Sequence, residues 1–197
     1  MFQDSDFDIF NDETLAGRMA KIKAIIDPKF VEFADIALPI LQEDGQEWYA
    51  HVAKHLRRTT YAPDNTWVAF APNRRGYKML PHFELGMWAD HIYFYLAIEE
   101  NMKPKQTTDI VNKMTAVTDM VLSLPASYRL SPDHMVNETV PLSDYSHLVK
   151  RYQEVKHSEV LIGVVIPRGD QRVGTESLVV ALSDTLRTLK PIYEQLV

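Results

Sequence analysis

The eight residues from His51 to Arg58 read HVAKHLRR, with two histidines four apart, three cations and no acid. Wound as a helix, His51, Lys54, His55 and Arg58 stand at i, i+3, i+4 and i+7 and share one face, while Val52 and Leu56 share the other. The spacing predicts an amphipathic helix whose polar side is wholly basic. Like charges at i, i+4 cost about 0.2–0.5 kcal/mol per pair, so exposed helices usually interleave signs. A one-signed face points to an anionic ligand, and arginine forks match phosphate or carboxylate two donors at a time. The competing reading is a solvated or structural face.

Downstream, Arg74, Arg75 and Lys78 lie on the link PNRRGY and just after it, and His82 follows. Between His51 and His82, six cations meet one acid, Asp64, in a chain whose net charge is −6. The expected binding set is therefore Lys54, Arg58, Arg74, Arg75, Lys78 and His82, converging in space. Two function classes follow. One is a binder of a phosphate-bearing ligand, a nucleotide or short nucleic acid. The other is an enzyme on such a substrate, with His51 or His55 as the acid–base group and arginines holding charge in the transition state. The aromatics Tyr61, Trp67, Phe70, Tyr77, Phe83, Trp88, Tyr93 and Tyr95 lie in or beside the same stretch. Alternate strand positions among them could stack on a base or sugar. The overall negative charge disfavours long nucleic acid, so a small anionic ligand fits better than a short oligonucleotide.

Several chemistries are set aside. His51 and His55 have the i, i+4 spacing of helical zinc ligands, but position 52 is valine, no third ligand is evident and two cations share the face. No metal and no cofactor are expected. Asp133-His134 and Asp90-His91 are adjacent pairs that would point opposite ways on an extended chain, and both are read as surface polar residues. Asp4, Asp6 and Asp8 imitate a calcium loop until Ile9 stands where glycine is required. With no cysteine there is no thiolate nucleophile, Cys-ligated zinc or disulfide. Dinucleotide, P-loop and nucleophile-elbow motifs are absent.

Such residues need a scaffold. With 197 residues, 46% of them hydrophobic, the chain is expected to be one α+β domain over 1–197. Leu15, Met19, Ile22 and Ile26 predict a helix capped by Asn11 or Asp12, and Asp27-Pro28 predicts a fresh start for a second helix, bent near Pro39 and ended by Gly45. Strands are predicted at 65–71, 78–88 and 91–99, the first two joined by a hairpin with a basic tip. Pro81 would be awkward within a central strand and suggests an edge strand or a strand start. Helical spacing runs from Gln106 to Leu124. Further elements are a short strand at SYRLS, a helix capped by Ser143, a buried strand EVLIGVVI and a helix from Thr175 to Leu196. Helices, then a strand meander, then mixed elements predict a mainly antiparallel sheet. The acidic opening lacks a signal-peptide pattern and no apolar run reaches about 20 residues, so a cytoplasmic protein without membrane association is expected.

HVAKHLRR followed by DNTWVAFAPNRRGYKMLPHFELGMW closely resembles the hallmark stretch of the YktB-like family of uncharacterised bacterial proteins. The likeness extends more weakly to FDIF and to YRLSPDHM. It departs from the family pattern at Leu56, where the family has alanine, and between Arg58 and Asp64. The resemblance implies a compact α+β domain in low-GC Gram-positive bacteria and implies no activity.

Overall fold

The computed structural model describes all 197 residues. Six strands form one sheet, β1 (Tyr49–Val52), β2 (Asn65–Ala71), β3 (His82–Trp88), β4 (His91–Ile98), β5 (Tyr128–Ser131) and β6 (Val160–Pro167), in the order β1-β2-β3-β4-β6-β5. Every pairing is antiparallel. The fold is α+β. β3 begins directly after Pro81, so the missing N–H falls outside the ladder of this central strand.

Period-two alternation sends the two sets of side chains to different places. Val68, Phe70, Phe83, Leu85, Met87, Ile92, Phe94 and Leu96 join a large apolar cluster beneath the helices. The helices are α1 (Leu15–Lys21), α2 (Asp27–Leu41), α3 (Thr107–Ala116), α4 (Thr118–Leu122), α5 (Tyr145–Glu154) and α6 (Glu176–Leu196). α2 and α6 pack on each other, α2 lies against β1 and β2, and α6 lies against β4 and β6. The opposite face carries Trp67, Ala69, Tyr93, Tyr95, Ala97 and Leu161, a small second cluster without helices in it. Polar residues of the same parity, His82, Glu84 and Glu99, lie on this face and are buried. Loops cover it.

Several local expectations need correction: the first helix is capped by Thr14, not Asn11 or Asp12, and the strand expected over 78–88 starts only at His82. HVAKHLRR is not a helix: Tyr49 to Val52 pair with Val68 to Ala71, and a loop follows. Val52 packs against the main core from the strand, and His55 takes φ 50°, which no right-handed helix contains. An eight-residue helix with little to bury could not outweigh that pairing. Asp27-Pro28 does not open a separate helix either. α1 runs through a π-turn (Ile22–Ile26) into α2, and the Asp27 N–H donates to the Ile22 carbonyl. The wider turn accommodates Pro28, which has no N–H to place. The helix expected over 106–124 breaks at Val117 into α3 and α4.

Candidate functional site

A cleft of about 790 Å³ opens over the second face of the sheet. One wall is the loop after β1, with Lys54, His55, Arg57 and Arg58. Trp67 of β2 lines it together with Tyr77 and Lys78 from the β2–β3 link. Glu99, at the end of β4, is also part of the lining, and the far side is made by His134 and Glu159, which flank β5 and β6.

The aromatic side chains are locked together. Trp67 Nε1 donates to the Tyr77 hydroxyl at 2.9 Å, His55 meets the Trp67 ring edge-on at 5.4 Å, and His134 does so at 5.3 Å. Lys78 Nζ stands 5.8 Å from the Trp67 ring centre and 5.5 Å from that of Tyr77. This platform is rigid and cationic at one edge, as stacking plus charge would require.

Behind it sits a buried group of opposed charges. Lys78 Nζ donates to Glu99 Oε2 at 2.7 Å. His134 lies 2.6 Å from Glu159 through Nδ1, and its backbone N–H donates to the same carboxylate at 3.0 Å. His82 Nε2 lies 3.3 Å from Glu84 and 3.5 Å from Glu99. Burial opposes charge on both histidines, but their carboxylate partners outweigh it and push each up to about 9. Burial alone would raise Glu99, yet the approach of His82 and the charges of His134 and Lys78 hold it well below the usual carboxylate range. His55 differs: burial, then the Arg58 charge, takes it down to about 4.

The predicted binding residues separate into three groups. Lys54, Arg58 and Lys78 line the same cleft, joined by Arg57. Arg74 and Arg75 are exposed on the β2–β3 link and stand outside the lining. His82 is fully buried beneath the cleft rather than on a basic surface. Of the acid–base candidates, His51 Nε2 is taken up by the Asn73 carbonyl at 2.8 Å, and His55 Nε2 by the Thr66 hydroxyl at 3.1 Å. They therefore point to separate partners and do not form a ligand pair.

The readings of His134 and His91 as surface residues are overturned, since both are buried. Asp90 and His91 also pair directly at 2.7 Å, because Asp90 lies in the turn after β3 and His91 is the first residue of β4 rather than both lying along a strand. Asp133 does bond its own turn, accepting from the Met135 N–H at 2.7 Å. His134, held by Glu159 at the cleft, has the contacts of a general acid–base pair. Glu84, Glu99 and Glu159 escaped the sequence reading altogether. Their one visible signal was acids at inward positions of otherwise apolar strands, in HFELGMW, YLAIE and SEVLIG.

Fold and site together define an α+β protein with a ligand-sized cleft on the helix-free face of an antiparallel sheet. The chain belongs to the family described as Domain of unknown function (DUF1054), whose model matches residues 2–193. It is similar to UPF0637 proteins of Leuconostoc mesenteroides, 66% identical over 196 residues and all of both chains, and of Leuconostoc citreum, 54% identical over 98% of each. A UPF0637 protein of Lactiplantibacillus plantarum is 40% identical over 98% of this chain and 94% of its own. No helix is long and apolar enough to cross a membrane.

Proposed function

We propose that the protein binds a small ligand bearing phosphate or another anionic group in this cleft. The anion lies against Lys54, Arg57, Arg58 and Lys78, and the remainder rests on Trp67 and Tyr77. The observation that carries this reading is that cations separated by twenty residues of sequence line one cleft beside an aromatic pair. The volume suits a nucleotide or sugar phosphate, within the range of about 300–1,000 Å³ common to small-molecule sites. A short oligonucleotide would extend beyond the cleft, and the acidic chain gives it little to hold.

Thermal melts against a panel of nucleotides, sugar phosphates and short oligonucleotides test the proposal. One class of anion should raise the midpoint. Arg58→Ala should weaken that ligand about tenfold or more and leave the unliganded melt nearly unchanged, since Arg58 is only partly buried. Arg75→Ala, outside the lining, should weaken it less. A panel without a single shift, or a ligand that both variants bind as the parent does, would sink the reading.

A further inference from the structure

Anion binding uses the rim of the cleft and leaves an arrangement beneath it unexplained. His82 and Glu84 stand two apart on β3, and Glu99 follows β4; all three are 0% exposed. His82 Nδ1 lies 2.8 Å from the Leu80 carbonyl, which can only accept, so that nitrogen carries a hydrogen. Nε2 is thereby aimed at Glu84 Oε1 and Glu99 Oε1. The other Glu99 oxygen is held by Lys78 at 2.7 Å and by Asn101 at 2.9 Å, which turns Oε1 inward. Glu84 Oε2 and Glu99 Oε1 are buried with no hydrogen-bond donor. Buried carboxylate oxygens are normally satisfied, so two left without a donor, on carboxylates that both approach His82 Nε2, call for a cation.

We propose that His82, Glu84 and Glu99 bind one divalent first-row transition ion of the Zn²⁺, Mn²⁺ or Fe²⁺ kind. The three ligand atoms lie within 4.8 Å of one another. His82 Nε2 stands 3.3 and 3.5 Å from its carboxylate neighbours. Metal bonds of about 2.0–2.2 Å place adjacent tetrahedral ligand atoms about 3.3–3.5 Å apart, whereas a charge-assisted N–H···O bond is shorter, about 2.7–2.9 Å. One imidazole with two carboxylates selects against Ca²⁺ and Mg²⁺, which prefer all-oxygen shells, and against Cu(I), which prefers sulfur. The Leu80 carbonyl on His82 and the Lys78 and Asn101 donors on Glu99 are the outer contacts that orient metal ligands. Lys78 tempers affinity with its own charge, but it engages the oxygen turned away from His82. Glu99 alone of the three lines the cleft, so an ion here lies directly under a bound anion. The proposal departs from the expectation that the chain holds no metal, which rested on His51 and His55 lacking a third ligand; these ligands come from elsewhere in the chain.

Chelator-treated full-length protein, titrated with ZnCl₂ and separately with MnCl₂ by calorimetry, should take up about one ion per chain. Glu84→Gln should weaken uptake about ten- to hundredfold. Crystals of the unaltered protein soaked in ZnCl₂ should show anomalous density between His82, Glu84 and Glu99, which decides the matter even where the variant fails to fold. No stoichiometric uptake, density only at surface histidines, or a folded Glu84→Gln that binds like the parent would overturn the proposal. Arg58→Ala should keep the ion while losing affinity for the anion, so the two readings can fail separately.

Discussion

His55 holds φ 50°, a left-handed conformation uncommon outside glycine, with its ring on Trp67 and its Nε2 on the Thr66 hydroxyl. The nearest charge acting on it is Arg58, of the same sign. Its pKa falls to about 4 in the folded chain against about 6.5 when unfolded. Protonation therefore favours the unfolded chain. The stability His55 contributes is complete above about pH 6.5 and is lost as pH falls toward 4. Urea unfolding of the parent and of His55→Gln from pH 7.5 to 4.5 should show the parent losing stability relative to the variant across that window. Parallel curves would mean that His55 titrates normally. The loop it anchors carries Lys54, Arg57 and Arg58, so anion affinity should decline over the same range. That His55 is special was invisible in HVAKHLRR, because its conformation and partners come from β2.

The sheet's second face depends on two close approaches. A Cβ at Gly86 would collide with the Tyr93 ring, which lies over it from β4. A Cβ at Gly163 would collide with the Phe94 carbonyl oxygen of β4, the strand β6 pairs with, Gly163 standing opposite Tyr95. A side chain has some freedom to give way and a strand backbone in mid-sheet has almost none. Gly86→Ala should cost about 1–3 kcal/mol, the usual penalty of overpacking, and Gly163→Ala more. Chemical denaturation midpoints of the two variants test the order, and the reverse order would mean that Tyr93 is the more rigid obstacle. The alternation that identifies β2, β3 and β4 is plain in NTWVAFA, HFELGMW and HIYFYLAI. The helix expected over His51 to Arg58 takes in only the last two residues of β1, and pairing with Val68 to Ala71 is what makes Tyr49 to Val52 a strand.

Across the molecule, charge is divided into two environments. Lys54 and Arg57 are exposed at the cleft rim and Lys78, 39% exposed, reaches from the rim to Glu99, while His82 and His134 are set among Glu84, Glu99 and Glu159 beneath it. Salt screens exposed charges over about 8 Å at physiological strength and reaches buried ones far less. Raising NaCl from about 50 to 500 mM should therefore weaken anion binding several-fold. The melting temperature without ligand should move little. A large loss of stability in salt would show that water and ions reach the buried group. Breaking that group from within should be costlier, since removing one member of a buried pair costs about 3–5 kcal/mol. Glu159→Ala should thus lower the melting temperature far more than Arg58→Ala, a contrast read from the same scans.

Composition and periodicity alone determined the α+β class, the antiparallel meander of β2, β3 and β4, the restriction of Pro81 to an edge or a strand start, and the basic segment around Arg58. These follow from local rules, in which side-chain direction is set by backbone period and proline's missing donor limits its place in a ladder. The tertiary structure alone decided the rest. It turned HVAKHLRR into a strand and loop, because cross-strand pairing outweighs the weak preference of so short a helix. It brought Lys78 to Arg58 and left Arg74 and Arg75 outside. It buried His134 with Glu159, 25 residues further along, and placed Glu99 beside His82. Such constellations join residues from different strands, and one sequence read along its length carries no record of which strands will be neighbours.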